Sequence, residues 1–184
     1  MSSGILHRLL AFTDAIDRAT EWLGQWLKWL VLFSSAISAF NALMRYTIHY
    51  SSNAWLEIQW YMFGAMFLLA AGYALKHEEH VRVDVFFSRM TPKQQAWLDV
   101  FGGIFFLLPM AVIIAWMSIP MVRNSVAINE MSSDPGGLLR WPIKIVIPLG
   151  FVLLAIQGVA EIIKKYAVAT GIREPGKAYE RPVQ

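Results

Sequence analysis

The densest group of ionisable side chains in this sequence is the octapeptide at residues 77–84, His-Glu-Glu-His-Val-Arg-Val-Asp. Its two imidazoles, His77 and His80, are potential ligands of a divalent metal such as zinc. The chain has no cysteine to complete such a site, and a His-x-x-His pair alone is a weak metal signature. We therefore predict that this segment caps a helix or docks a partner, and that the protein holds no metal or cofactor.

A second candidate is the carboxylate of Glu57, which lies near the start of a long apolar segment, close to Arg45 at the end of the preceding one. One interpretation is a partly desolvated Arg45–Glu57 ion pair that fixes the register of a helical hairpin. In the alternative, Glu57 pairs with a partner protein or binds a coupling proton. Its position close to the boundary argues against the proton role.

A polar stripe follows the first apolar segment. Ser34, Ser38, Asn41 and Arg45 recur at spacings of three and four residues, which places them along one face of a helix. Because polar groups are costly against lipid, this face should contact protein, either within the chain or on another subunit.

The elements that position these residues are membrane spans. With 57% hydrophobic and only 16% charged residues, the chain is too apolar for an ordinary soluble domain of its length. About twenty apolar residues cross a hydrocarbon core of roughly 30 Å, and four segments meet that requirement. We predict an all-α membrane protein with a bundle of four transmembrane helices, at about residues 22–44, 54–75, 96–122 and 142–163.

The predicted organisation has three parts. Residues 1–21 form an N-terminal cytoplasmic or interfacial segment, 22–165 the transmembrane domain, and 166–184 a cytoplasmic tail. Residues 5–23 have apolar side chains at helical spacing opposite charged ones, which suits either an amphipathic helix lying on the membrane or an extension of span one. The net charge of +3 does not indicate a nucleic-acid partner, because the basic residues form no continuous patch.

The orientation follows from the basic residues that flank the spans, because the cytoplasmic side retains the excess of Lys and Arg. Twelve lie before or at the start of span one, between spans two and three, or after span four. Four lie on the opposite side: Arg45, Arg123, Arg140 and Lys144. Both termini are therefore predicted to be cytoplasmic.

Glu57, Trp60 and Gly64 in span two, followed by His80, Arg82 and Asp84 just beyond the membrane, resemble a known family over about residues 20–165. That family is the DctQ-type small membrane subunit of tripartite ATP-independent periplasmic (TRAP) transporters. The resemblance implies a stationary, non-catalytic helper in a bacterial inner membrane. Its partners would be a large multi-span permease subunit that carries the substrate and ion sites and a periplasmic solute-binding protein, and the solute is expected to be an organic acid. Arg45, Glu57, His80, Arg82 and Asp84 are the expected contact or ion-pair residues.

Two rival functions make different demands on the sequence. A haem- or quinone-binding anchor of a respiratory complex needs axial ligands inside the bundle. The four histidines, however, are all predicted outside the hydrocarbon region: His7, His49, His77 and His80. A self-sufficient transporter assembled from copies of this chain needs a deeply buried coupling carboxylate, for which Glu57 is too shallow.

Overall fold

The computed structural model of the chain describes residues 3–78 and 90–172. Its helices are α1 (Ser3–Ile48), α2 (Asn53–Leu69), α3 (Ala71–Lys76), α4 (Pro92–Gly102), a π-helical turn (Gly103–Leu107), α5 (Leu108–Ala127) and α6 (Trp141–Ala169). Four helical stretches in these ranges are long and apolar enough to cross a membrane: Leu9–Ile48, Asn53–Lys76, Pro92–Ala127 and Trp141–Ala169. The predicted all-α, four-span fold is confirmed.

Helix α1 is much longer than a membrane span requires. Its 46 residues extend over about 69 Å, against roughly 30 Å for the hydrocarbon core. Residues 5–23 belong to this one continuous helix, with no break at the predicted boundary near residue 22. Residues 5–23 therefore continue the helix of span one, which is the second of the two interpretations of this segment.

Helix α6 is the centre of the bundle and contacts α1, α2, α3, α4 and α5. Small residues line its contact faces, and Gly150, Gly158, Ala160 and Ala167 are buried. At Gly150 the backbone of α2 approaches closely: a Cβ atom there would lie 2.8 Å from the carbonyl oxygen of Leu68. Small residues thus allow the close helix approach on which packing between spans depends.

The third span is interrupted by the π-helical turn just before Pro109. Proline has no backbone N–H to donate, and prolines inside helices commonly coincide with local changes of helix type. The N–H of Leu108 donates to the carbonyl of Gly103, which is the five-residue spacing of a π-helix.

The two ends of the bundle differ in the segments they carry. We call the end with the first residues of α1 and the last residues of α6 the terminal end, because Asp17 pairs there with Lys164. The other end, which we call the distal end, carries the connection 49–52 and the loop 128–140. Helix α6 continues to Ala169, so the first residues of the predicted tail 166–184 are helical, and residues 173–184 lie outside the described ranges.

Candidate functional site

At the distal end, Glu57 is the centre of a polar cluster although it is only 2% exposed. Its carboxylate accepts hydrogen bonds from the backbone N–H of Leu138 at 2.6 Å and from the hydroxyl of Ser132. The guanidinium of Arg140 lies 3.6 Å from the same carboxylate. All three partners come from the loop 128–140, so Glu57 ties span two to the connection between spans three and four.

Neighbouring side chains of α2 hold the same loop. Asn53 donates from its amide to the carbonyl of Pro135 at 3.0 Å, and the Tyr61 hydroxyl donates to the carbonyl of Leu139 at 2.9 Å. Asn53, Glu57 and Tyr61 are four residues apart, which places them on one helix face. The Arg140 guanidinium also lies 5.1 Å from the centre of the Trp60 ring, a cation–π contact.

The loop itself is folded tightly against this face. Ser132 donates its N–H to the carbonyl of Leu138 at 2.9 Å, and Arg140 donates its N–H to the carbonyl of Glu130 at 2.8 Å. A Cβ atom at Gly137 would lie 2.8 Å from a carboxylate oxygen of Glu57, so only glycine lets the backbone approach so closely.

An ion pair between Glu130 and Lys144 joins this loop to the start of α6. The hydrogen bond from Lys144 is the main reason why the pKa of Glu130 is below its usual value.

The predicted Arg45–Glu57 ion pair is wrong. Glu57 pairs with Arg140, whereas Arg45 is exposed and its guanidinium lies 5.1 Å from the centre of the Tyr46 ring. The error concerns the choice of partner, because Glu57 does form a structural ion pair at the predicted membrane boundary.

The polar stripe of span one packs within the chain at two of its four positions. Ser34 and Asn41 are buried, as expected for side chains that contact protein, but Ser38 and Arg45 are exposed. The positions that pack inward recur every seven residues, at Thr13, Thr20, Leu27, Ser34 and Asn41. This 3.5-residue period is that of a coiled-coil seam, which matches the packing of a long helix against its neighbours.

A second polar cluster lies at the terminal end, centred on the fully buried Gln157 of α6. Its amide donates to Asp17 at 2.8 Å and to Glu161 at 2.9 Å, and its oxygen accepts from the hydroxyl of Thr20 at 2.7 Å. Lys164 pairs with Asp17 at 2.8 Å, so the cluster joins α1 to α6.

Two further ion-pair groups extend this cluster to the other helices. Glu21 of α1 pairs with Lys76 at 2.6 Å and faces the His77 ring at 3.0 Å, which joins α1 to the end of α3. Lys165 of α6 pairs with Glu78 and lies 3.3 Å from Asp99 of α4. All four spans are therefore connected at the terminal end. The sequence signal for these residues is a set of charged side chains near the ends of the apolar segments, whereas their pairing depends on how the helices pack.

Three of the predicted contact residues, His80, Arg82 and Asp84, lie outside the described residues. The histidine next to them, His77, faces Glu21. Within the described ranges, no group of three or more histidine, aspartate or glutamate side chains is arranged to hold a metal ion. Taken together, the distal cluster ties span two to the connection between spans three and four, and the terminal cluster joins all four spans.

The family model described as the DctQ component of tripartite ATP-independent periplasmic transporters matches residues 34–167. This range includes both Glu57 and Gln157, and it runs from span one to the last turns of α6. Comparison with curated proteins and with solved structures gives no match.

Proposed function

Because the chain belongs to the DctQ family, the small membrane subunits of TRAP transporters, we propose that it is the stationary scaffold of a solute importer. In this proposal the chain performs no catalysis and holds no cofactor. A large permease subunit moves against it and carries the solute, which we propose to be an organic acid that is taken up together with an ion and without ATP.

The observation that supports this proposal is that a polar cluster stabilises the bundle at each of its two ends. Glu57 fixes the distal loop, and the ion pairs around Gln157 join all four spans at the terminal end. Helix α6 contacts every other described helix between these two clusters. A subunit against which another one moves must itself resist deformation, and polar clusters at both ends supply that resistance.

We propose that the exposed face of α1 is the surface that contacts the permease. It carries large apolar side chains over about 47 Å, from Phe12 to Leu43. That length exceeds the roughly 30 Å of the hydrocarbon core, so lipid tails alone cannot cover the face of an upright helix. The exposed members are Phe12, Trp22, Trp26, Trp29, Phe33, Phe40 and Leu43.

We propose that the distal end faces the periplasm and both termini face the cytoplasm, as the excess of basic residues at the terminal end favours. The loop 128–140 would then contact the solute-binding protein. Its hydrogen bonds to α2 hold it in one conformation, which lowers the entropic cost of binding. Arg45, exposed at the same end, and His80, Arg82 and Asp84 are our further proposed contact residues.

Site-specific photo-crosslinking in native membranes tests the scaffold proposal. A photoreactive residue at Phe33 or Phe40 of α1 should capture a multi-span permease, whereas one at Met117, which is exposed on α5, serves as the matched control. Capture of the permease from α5 and not from α1 would contradict the proposed contact surface.

The rival function as a haem or quinone anchor has no comparable support. The two histidines whose side chains are described, His49 and His77, follow the ends of α1 and α3 and so lie at opposite ends of the bundle. A visible absorption spectrum of the purified chain tests this alternative, because a Soret band would establish a haem and contradict the scaffold proposal.

A further inference from the structure

A cavity of about 300 Å³ opens between the second and third spans at the terminal end, with α6 as its floor. Gly102, Gly103 and Gly158 form part of its wall, and Leu75 and Leu107 contribute apolar side chains. A Cβ atom added at Gly102 would meet nothing within 4 Å. Gly102 therefore borders open space, whereas Cβ atoms at Gly103 and Gly158 would lie 2.6 Å from Ile162 and 2.8 Å from Leu107, so the wall is closely packed there. The inner lining is mainly apolar.

The rim of the cavity carries an excess of negative charge. Among the residues that line it, three are acidic, Glu78, Asp99 and Glu161, and one is basic, Lys165. Lys165 pairs with Glu78 and Asp99, and Glu161 pairs with Lys164 at 2.6 Å. A ligand that brings a positive charge is favoured there, and one with only negative charge is disfavoured.

Two aromatic side chains mark the depth of the rim in the membrane. The rings of Trp97 and Tyr166 meet edge to face, with their centres 5.8 Å apart. Trp97 precedes Asp99 of the rim by two positions and is half exposed, and Tyr166 directly follows Lys165. Because Trp and Tyr favour the headgroup level, the charged rim lies at the headgroups and the apolar part of the cavity lies beside the lipid tails.

We propose that this cavity binds an aminophospholipid such as phosphatidylethanolamine. One acyl chain occupies the glycine-walled part, and the primary ammonium donates hydrogen bonds to the carboxylates of the rim. Lys165 meets the lipid phosphate. Phosphatidylglycerol lacks the ammonium, and the quaternary ammonium of phosphatidylcholine has no N–H to donate, so both should bind less tightly. This lipid site goes beyond the proposed scaffold function and does not depend on it.

Native mass spectrometry of the purified full chain, titrated with the three lipids carrying identical acyl chains, tests the headgroup preference. Phosphatidylethanolamine should bind about tenfold more tightly than phosphatidylglycerol. Asp99→Asn removes one rim charge and should reduce that preference. Asp14→Asn removes an exposed carboxylate that does not line the cavity, and it should leave the preference unchanged.

A steric variant tests the position of the site. Gly102→Leu fills open space and replaces a poor helix former with a good one, so the helix should remain folded. Its helical circular dichroism should match that of the wild type, while one bound phosphatidylethanolamine is lost. Equal binding of phosphatidylglycerol and phosphatidylethanolamine by the wild type, or full retention of phosphatidylethanolamine by Gly102→Leu, would overturn the proposal.

Discussion

The carboxylate of Glu57 accepts a hydrogen bond of 2.6 Å from the backbone N–H of Leu138, although 81 residues separate the two in the chain. This bond connects the start of span two to the loop before span four. Glu57 also pairs with Arg140 of the same loop, so a single buried carboxylate fixes both the loop backbone and a cation. Glu57 therefore holds in place the loop that forms part of the distal surface.

Glu57→Gln should loosen the loop without unfolding the bundle. The neutral amide accepts a weaker hydrogen bond from Leu138 than the carboxylate does and no longer attracts Arg140. We expect amide exchange at Leu138 to become about tenfold faster, with little change in the helical core. Hydrogen–deuterium exchange in detergent measures this effect, and Asp14→Asn is the control. Unchanged exchange at Leu138 would contradict the anchoring function of Glu57.

Gln157→Leu should destabilise the terminal end. Leucine removes the hydrogen bonds to Asp17, Thr20 and Glu161, and it leaves their polar groups without that partner. The expected loss is about 1–3 kcal/mol in the free energy of unfolding. A denaturant titration in detergent micelles gives this quantity.

The matched control for that variant is Gln25→Leu. Gln25 is exposed, and its amide bonds only Glu21 and Lys28 on neighbouring turns of the same helix. Its replacement should change stability by less than about 0.5 kcal/mol. Equal effects of the two variants would mean that the buried cluster has no special importance for stability.

Gly150→Ala should separate α2 from α6. The new methyl group would lie 2.8 Å from the carbonyl oxygen of Leu68, which is backbone and cannot rotate away. We expect a loss of about 1–3 kcal/mol, as for other overpacked positions. Gly102→Ala is the control, because the same methyl group there meets nothing within 4 Å and should raise stability by up to about 1 kcal/mol. Thermal unfolding of both variants gives the comparison, and a neutral Gly150→Ala would contradict the close packing.

Low pH should loosen the join between the distal loop and α6. The pKa of Glu130 is lower in the folded protein than its usual value because Lys144 donates a hydrogen bond to the carboxylate. The pair's stabilisation is therefore fully present above the usual pKa and is lost as the pH falls through the lowered value. Loop protection, measured by amide exchange, should decline over that acidic range in the wild type. In Glu130→Gln, the protection of the loop should depend less on pH. A parallel decline in both proteins would assign the effect to other groups.

The sequence allows the four spans to be predicted because length and apolarity alone determine them. It also identifies Glu57, since a carboxylate at a membrane boundary needs a partner. The partner itself depends on tertiary structure: Arg45 is near in sequence, but the packing of α6 beside α2 brings Arg140 to the carboxylate. The same limit applies to Asp17 and Lys164, which pair across 147 residues.

The family resemblance, read from Glu57, Trp60 and Gly64, is confirmed by the family match.

Only part of the polar stripe is buried within the chain, for a geometric reason. A step of four residues turns a helix by about 40° beyond a full turn, whereas a step of seven falls only about 20° short of two turns. Ser38 therefore rotates away from the face that buries Ser34 and Asn41. Arg45 lies in the last turn of α1, where residues 45–48 are exposed.

The most direct test of the scaffold proposal is co-purification of the tagged full chain from native membranes in mild detergent, with mass spectrometry of the proteins that accompany it. We expect a large multi-span permease to accompany the chain at about a one-to-one ratio. The control variant Asp14→Asn should retain the permease. Recovery of the chain alone, or together with haem-bearing subunits, would contradict the proposal that this protein is the stationary partner of a permease.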